Sequence, residues 1–268
     1  MEPANDTALG YEFFALTDRG RSRANNEDSV VADPDAALAV LADGMGGYNA
    51  GEVASGMATG YLGSQLGAWL VEASPEVSDQ EVRRAMDICV DNANRAIFDA
   101  ANANPQYAGM GTTLVLAVFR GSRLLLGHIG DSRGYRWREG RLVQLTRDHS
   151  LLQEQMDAGL ISPEQAAISL NKNLVTRAMG VEDVVLLEAH SHALAIDDWV
   201  LLCSDGLSDM LDDDAIARVL QGRVDVADAA QALVDAANEA GGRDNIAVIL
   251  VAVRAGTSAG RAWWPFRR

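Results

Sequence analysis

The segment Thr112–Ile129, with the sequence TTLVLAVFRGSRLLLGHI, decides the fold of this chain. It contains two runs that are apolar at nearly every position, Thr112–Phe119 and Leu124–Ile129, joined by the short loop Arg120–Arg123. This pattern predicts a β-hairpin whose strands are covered on both faces, because a strand with one solvated face alternates apolar and polar residues. The hairpin therefore belongs in the interior of a layered structure.

Further strands are predicted wherever a short apolar run is bounded by turn residues. The run Ala36–Ala42 is expected to end at Asp43-Gly44, and two later runs form a hairpin through Glu139-Gly140. The full set outside the central hairpin is Phe13–Leu16, Ser29–Ala32, Ala36–Ala42, Gly134–Trp137, Arg141–Leu145, Val184–Ala189, Trp199–Cys203 and Ile246–Val253.

Apolar residues spaced four apart predict helices between these strands. The first helix covers Glu52–Val71. The second begins after Ser78, which has capping-box spacing to Glu81, and fades near residues 102–105. A short helix follows Asp212, and a longer one covers Val226–Ala240.

Strands that alternate with helices but also form several hairpins predict an α+β fold, in which helices stack outside an antiparallel sandwich. We expect one domain over residues 11–254, an N-terminal extension at 1–10 and a tail at 255–268. A polar segment at 148–180, with helical pieces at 151–156 and 174–179, is interpreted as a flap-like insertion. The tail contains RAWWPFRR at 261–268, which is typical either of a membrane or partner contact or of a frayed terminus.

Composition excludes several classes of protein. The chain has 268 residues, of which 48% are hydrophobic, and its net charge of -16 argues against binding to nucleic acid. Its one lysine, Lys172, lies outside any phosphate-loop motif, and Cys89 and Cys203 lack metal-ligand spacing. No apolar run reaches the roughly 18 residues of a membrane span. We therefore expect a cytoplasmic protein with no integral membrane segment.

Acidic residues recur where predicted strands end. Asp43, Asp131 and Asp205 each stand beside a glycine or serine after an apolar run, Asp244 precedes the last strand, and Glu27-Asp28 precede an early one. For any one of them, a turn-favouring residue at a strand end is the simpler interpretation. The repetition favours a convergence of these carboxylates at one edge of the fold.

Converging carboxylates need cations, because like charges at close range repel and lysine is almost absent. All-oxygen ligation without histidine or cysteine suits Mg²⁺ or Mn²⁺. Two such ions roughly 3.5 to 4 Å apart can share a water molecule, lower its pKa and direct it at a phosphorus atom. Arg23, four residues before Glu27, is placed to hold phosphoryl oxygens with its planar guanidinium group.

From about Tyr11 to Arg254, the chain resembles the bacterial metal-dependent protein phosphatases of the PPM, or type 2C, family. Seven motifs in the same order, across almost the whole chain, are far more specific than any one of them alone. They are Arg23-Ala24-Asn25-Asn26-Glu27-Asp28, Asp43-Gly44-Met45-Gly46-Gly47, Gly51-Glu52-Val53-Ala54-Ser55, Gly111-Thr112-Thr113, Gly130-Asp131-Ser132-Arg133, Ser204-Asp205-Gly206-Leu207 and Gly242-Arg243-Asp244-Asn245.

The resemblance implies a four-layer sandwich, in which two central antiparallel sheets are flanked by helices and the metal centre lies at one edge. It implies two Mn²⁺ or Mg²⁺ ions, with a third, looser ion. By position, Asp43 resembles the carboxylate that bridges both ions, and Gly44 contributes its carbonyl oxygen. The remaining matches are Asp205 and Asp244 as direct ligands, Glu27 and Asp28 as residues that hold bound water or the second ion, Asp131 as the carboxylate of the third ion, and Arg23 as the phosphate-binding residue.

The implied function is hydrolysis of phosphoserine and phosphothreonine in proteins, by attack of a metal-bridging water without a phosphoenzyme. The implied partners are phosphorylated proteins and a bacterial Ser/Thr kinase, and we expect a monomer. Two alternatives stay open. One is a catalytically silent module that binds phosphoproteins, and the other is a phosphatase for small phosphate monoesters on the same fold.

Met45 is a departure from many eukaryotic members of the family, which carry a histidine directly after the Asp-Gly pair as the proposed general acid. A methionine side chain has no proton to donate. Our first hypothesis for the proton source is a metal-bound water near Asp131. His149 is a less favoured alternative.

Overall fold

The computed structural model describes residues 9–47, 50–74, 76–162, 165–166, 169 and 174–256. Two antiparallel sheets form its centre. The strands are β1 (Leu9–Asp18), β2 (Asp28–Asp33), β3 (Leu38–Met45), β4 (Gly111–Thr112), β5 (Leu114–Arg120), β6 (Arg123–Ile129), β7 (Arg133–Arg138), β8 (Arg141–Gln144), β9 (Glu188–Ala193), β10 (Trp199–Cys203) and β11 (Ile246–Ala255).

The five-stranded sheet has the order β1-β11-β10-β7-β8. The six-stranded sheet has the order β2-β3-β5-β6-β9, with β4 paired to β3. The hairpin predicted from Thr112–Ile129 is β5 and β6, whose partners run from Leu114↔Ile129 to Arg120↔Arg123. Both of its strands are buried almost throughout, as their unbroken apolar sequence predicts.

The two sheets pack face to face, and helices cover their outer faces. Leu41 and Val115 from one sheet meet Leu202 and Ile249 from the other in a buried apolar layer. This arrangement gives four layers, which confirms the predicted architecture. The helices are α1 (Ala50–Tyr61), α2 (Gly67–Glu72) and α3 (Asp79–Ala103) on the six-stranded sheet, α4 (Leu151–Asp157) after β8, and α5 (Asp205–Ser208), α6 (Asp213–Leu220) and α7 (Val226–Glu239) on the five-stranded sheet.

The helix start signals in the sequence are confirmed. Ser78 caps α3, its side chain accepts from the backbone N–H of Glu81, and the Glu81 carboxylate accepts from the backbone N–H of Ser78. Asp212 caps α6 by accepting from the N–H of Ala215. The first predicted helix is interrupted by one π-helical stretch, Leu62–Leu66, between α1 and α2.

Three local predictions are wrong. Strand β3 continues through Asp43-Gly44 to Met45, because Asp43 pairs with Asp28 and Gly44 pairs with Thr112. The strand predicted at Val184–Ala189 begins only at Glu188, since the earlier residues lie outside the sheet, with Val184 and Leu186 exposed. Residues 174–179 form two isolated bridges rather than a helix, with Val175 opposite Ser150 and Met179 opposite Thr112.

Strand β1 pairs with β11 as far as Leu9 opposite Ala255, so these two strands run to the ends of the described domain. The sequence RAWWPFRR at 261–268 and the segment 1–8 lie outside the described residues. Among the helices of the described part, none has the length and apolar character needed to cross a membrane.

Candidate metal centre

The predicted site residues come together at one edge of the two sheets. Asp43 lies near the end of β3, Asp131 follows β6, Asp205 follows β10, and Asp244 precedes β11. They line one cavity of about 200 Å³ with Glu27, Gly44 and Arg23. Asp28 lies beneath this cavity, directly opposite Asp43 in the β2–β3 pair. The structure therefore brings together every candidate site residue that the sequence predicts.

Close backbone packing fixes the position of these strand ends. The N–H of Gly44 donates to the carbonyl oxygen of Glu27 at 3.1 Å, and a Cβ atom on Gly44 would lie 2.1 Å from the carbonyl oxygen of Gly51. A Cβ on Gly206 would lie 1.8 Å from the carbonyl oxygen of Asn245. Only glycine allows such approaches, which explains why these aspartates have a glycine beside them.

Burial makes this carboxylate cluster electrostatically unfavourable without cations. Desolvation raises the pKa of Asp28 to about 7, with Asp244 and Glu27 contributing, and that of Asp131 to about 6, with Asp148 contributing. Burial also raises the pKa of Asp43 and of Asp205 well above the usual range, and the neighbouring carboxylates act in the same direction.

Asp28 carries a further sign of a missing partner. Its Oδ2 accepts from Oγ of Ser204 at 2.7 Å, but its buried Oδ1 has no hydrogen-bond partner within the described part of the chain. A buried carboxylate oxygen without a donor costs free energy unless a cation contacts it. An all-oxygen donor set with an orphaned buried oxygen fits hard divalent cations.

Arg23 is the one cation among the described residues that line this cavity. Its Nη2 donates to Oδ2 of Asp244 at 2.6 Å, and about 50% of the side chain is exposed. The guanidinium group therefore reaches the carboxylates from the solvent side. There it has donors that can also bind an incoming phosphoryl group.

Asn245 is a positioning residue to which the motif analysis assigned no role. Its Oδ1 accepts from the N–H of Glu27 at 2.8 Å, and its Nδ2 donates to the carbonyl oxygens of Arg19 at 3.0 Å and Asn25 at 2.8 Å. The side chain is buried and ties the loop that carries Arg23 and Glu27 to the start of β11. Its place directly after Asp244 is the sequence signal that could have identified it.

Hydroxyl side chains hold the backbone of Asp43 and connect it to the turn that carries Asp131. Oγ1 of Thr112 donates to the carbonyl oxygen of Asp43 at 2.8 Å, and Oγ1 of Thr113 accepts from the N–H of Asp43 at 3.1 Å. Thr113 and Ser132 share a hydrogen bond of 2.7 Å, which links the Asp43 strand to the turn that carries Asp131. Asp43 and Asp131 are thus held by one connected network.

Met45 lines the cavity, and no histidine does so among the described residues. Nδ1 of His149 accepts from the N–H of Gly130 at 3.1 Å, and its Nε2 lies 3.2 Å from Oε2 of Glu188. Both ring nitrogens are therefore engaged outside the carboxylate cavity. This arrangement disfavours His149 as the proton donor.

A second cavity, of about 330 Å³, adjoins the first and shares Asp131 and Asp205 with it. Helix α4, from the segment predicted as an insertion, contributes Leu152, Gln153 and Met156 to its lining. The start of that segment is fixed because Arg133 donates to both carboxylate oxygens of Asp148, with Nη2 to Oδ2 at 2.7 Å.

Comparisons with known proteins agree with this geometry. The family model described as protein phosphatase 2C matches residues 17–250. The serine/threonine protein phosphatase PstP of Mycobacterium tuberculosis is 41% identical over 245 residues, which cover 91% of this chain but 45% of PstP, so the chain spans about half the length of that relative. The serine/threonine phosphatase stp of Listeria monocytogenes is 38% identical over 238 residues, 88% of this chain and 93% of that protein.

Among solved structures, the catalytic domain of PstP in complex with two manganese ions matches with a TM-score of 0.80 and 39% identity. The match covers 92% of this chain and 99% of that chain.

Proposed function

The chain belongs to the protein phosphatase 2C family, as its motifs predict, and from this we propose that it is a metal-dependent protein serine/threonine phosphatase. The observation that carries the proposal is the convergence of the carboxylates of Glu27, Asp43, Asp131, Asp205 and Asp244 on one cavity that Arg23 also lines. A hydrolase for phosphate monoesters needs both elements, a place for divalent cations and a cation that binds the phosphoryl group.

The residues present fit divalent metal ions. We assign Asp43, the carbonyl oxygen of Gly44, Asp205 and Asp244 as ligands of two Mn²⁺ or Mg²⁺ ions, Glu27 and Asp28 as residues that hold bound water or the second ion, and Asp131 as the ligand of a third. When bound, such ions lower the pKa of a coordinated water and neutralise charge on the phosphoryl group. The raised pKa of Asp28, about 7, and its unpartnered buried Oδ1 among the described residues support this assignment.

The chain's own residues supply binding and orientation. Arg23 is proposed to exchange its hydrogen bond with Asp244 for bonds to phosphoryl oxygens, as its exposure of about 50% allows. Asn245 holds the loop that carries Arg23 and Glu27 in a fixed position beside Asp244. Since Met45 cannot donate a proton, we place delivery of the proton to the leaving serine or threonine oxygen on the Asp131 side of the cavity.

Substrate choice is proposed to depend on helix α4. Leu152, Gln153 and Met156 line the cavity that shares Asp131 and Asp205 with the carboxylate cavity, so a peptide flanking the phosphorylated residue would contact them. We propose residues 11–254 as the phosphatase domain, with 148–180 as its flap-like insertion. Phosphorylated proteins of a signal-transduction system, opposed by a bacterial Ser/Thr kinase, are the proposed substrates of a monomeric enzyme.

A reducing, cytoplasmic location is supported by the two cysteines. Cys89 and Cys203 are both free thiols, and structural disulfides are typical of oxidising compartments.

Release of inorganic phosphate from a phosphothreonine peptide and from p-nitrophenyl phosphate, with Mn²⁺ present, tests this function. A protein phosphatase hydrolyses both compounds. A phosphatase for small esters would hydrolyse p-nitrophenyl phosphate and leave the peptide intact, and a silent binding module would bind the phosphopeptide and release no phosphate. Either of the last two results would contradict the proposal.

A further inference from the structure

All four histidines of this chain lie together at one edge of the six-stranded sheet. His128 is on β6, and the edge strand β9 carries His190 and His192. Glu188 is the register partner of His128, and His190 and His192 follow it at intervals of two, on the same face of β9. The ring of His149 stacks on that of His128 with 4.6 Å between ring centroids.

The donor atoms of this cluster are close enough to share one metal ion. One ligand atom each from His128, His149 and Glu188 lie within 4.8 Å of one another. The two oxygens of Glu188 are 3.2 Å from Nε2 of His149 and 3.2 Å from Nε2 of His190. In tetrahedral sites, zinc lies about 2.0 to 2.2 Å from nitrogen and oxygen ligands, so two ligand atoms on one ion are at most about 4.4 Å apart. Both 3.2 Å pairs are within this limit, and metal binding draws the remaining donor atom closer to them.

His128 is already held as metal-binding histidines usually are. Its Nε2 contacts the carbonyl oxygen of Arg147 at 2.7 Å, and since a carbonyl oxygen only accepts, this nitrogen carries the proton. Nδ1 therefore has the free lone pair that a metal ion needs. A ligating histidine typically donates its other N–H to a carbonyl oxygen or a carboxylate in this way.

The charge of the cluster also fits a cation. Burial lowers the pKa of His149, so its ring is neutral at pH 7. Glu188 then contributes a negative charge beside this neutral imidazole. Arg177 is the nearby cation, with Nη1 3.5 Å from Nε2 of His149, and it is an exposed side chain that can move away.

We propose that His128, His149 and Glu188, with His190 as a fourth ligand within reach, bind one late transition-metal ion of the Zn²⁺ or Cu²⁺ type. This site is separate from the carboxylate cavity, which no described histidine lines. Imidazole nitrogens favour Zn²⁺ and Cu²⁺, whereas all-oxygen sites favour Mg²⁺ and Mn²⁺. The two sites therefore select different metals.

Metal binding moves one proton within His149. In the metal-free protein, Nδ1 accepts from the N–H of Gly130, so Nε2 carries the proton and donates to Glu188. When the metal ion takes Nε2, a neutral ring must carry that proton on Nδ1, and the bond from Gly130 is lost. Because Gly130 precedes Asp131, occupation of the histidine site changes the turn that carries Asp131.

Electron paramagnetic resonance of bound Cu²⁺ tests the site without relying on activity. The experiment uses the untagged full chain in excess Mg²⁺, which occupies the carboxylate cavity and is silent in this measurement, with one equivalent of Cu²⁺. The expected spectrum shows superhyperfine coupling to at least two nitrogens. Glu188→Gln and, separately, the exposed His190→Gln are expected to weaken Cu²⁺ binding about tenfold or more in competition with a chelator.

Three controls isolate the histidine cluster. Asp43→Asn removes a residue of the carboxylate cavity, Cys89→Ser removes the half-buried thiol, and His192→Gln removes a histidine two strand positions beyond His190. All three are expected to keep the nitrogen-coupled signal. A spectrum with oxygen ligands only would overturn the proposal, and so would a nitrogen-coupled signal that folded Glu188→Gln and His190→Gln retain with unchanged affinity.

Discussion

Arg23 and Asp244 are joined by a 2.6 Å hydrogen bond from Nη2 to Oδ2, although 221 positions separate them in the sequence. The bond connects the loop before β2 with the loop before β11, at the mouth of the carboxylate cavity. The proposed phosphate-binding residue is thus hydrogen-bonded to a proposed metal ligand. We therefore expect substrate binding and metal binding each to change this hydrogen bond.

Arg23→Lys keeps the positive charge but removes the planar fork of donors. Loss of a charged hydrogen bond of about 1.5 to 3 kcal/mol lowers kcat/KM for a phosphothreonine peptide roughly 10- to 100-fold, mostly through KM. Steady-state kinetics with saturating Mn²⁺ measures this change. Arg254→Lys, at an arginine paired with Glu12 far from the cavity, serves as the matched control and should leave kcat/KM unchanged.

Asn245→Ala removes three hydrogen bonds that hold the loop of Arg23 and Glu27. The expected cost is roughly 2 to 3 kcal/mol of the free energy of unfolding. Because the loop that positions Arg23 is no longer held, KM should rise about tenfold, whereas kcat should fall by a smaller factor. Chemical denaturation and steady-state kinetics measure the two effects, and an unchanged KM in the folded variant would refute a positioning role.

Asp28 makes the stability of the metal-free protein depend on pH. Its pKa in the folded state, about 7, is above that of an unfolded aspartate, so between about pH 4 and pH 7 the folded state binds more protons than the unfolded state. Stability of the metal-free protein therefore falls as pH rises through this window. Below this pH window, Asp28 is protonated in both the folded and the unfolded state and no longer opposes folding.

Asp28→Asn should remove part of this dependence, because the amide is neutral and its oxygen can still accept from Ser204. With EDTA present, the variant is expected to be more stable than the wild type at pH 8 by on the order of 2 kcal/mol, and nearly equal to it at pH 4. Denaturant unfolding at both pH values measures the difference. Identical slopes of stability against pH in the two proteins would be the contrary result.

Met156→Ala tests the proposed role of helix α4 in substrate choice. Met156 lines the cavity beside Asp131 and Asp205, so its truncation should lower kcat/KM for a phosphopeptide several-fold and leave hydrolysis of p-nitrophenyl phosphate within about twofold. Equal losses on both substrates would contradict the idea. A point variant is preferable to deletion of 148–180, since Met179 is buried and pairs with Thr112 across the end of this segment.

The fold and the convergence of the acidic residues could be predicted because their signals are local. An apolar run followed by Asp131 or by Asp205-Gly206 indicates both a strand end and a carboxylate within a few residues. The clamp formed by Asn245 depends on backbone groups of Arg19, Asn25 and Glu27, which only the tertiary structure brings near it. No periodicity encodes such a contact.

The edge strand β9 is a second feature that depends on tertiary contacts and that the sequence pattern predicted wrongly. The apolar run from Val184 predicts a strand, but pairing with β6 selects the more polar sequence from Glu188 instead. That register also places Glu188 opposite His128 and close to His149, although the three residues are far apart in sequence. The histidine cluster therefore became visible only in the structure.

The most direct test of the central claim is phosphate release from a phosphothreonine peptide after EDTA treatment and re-addition of Mn²⁺, for the wild type and Asp43→Asn. We expect no activity in EDTA, recovery with Mn²⁺ in the wild type, and a loss of at least about 100-fold in folded Asp43→Asn. Activity that persists in EDTA, or that Asp43→Asn retains in full with Mn²⁺, would contradict a metal-dependent phosphatase centre built on Asp43.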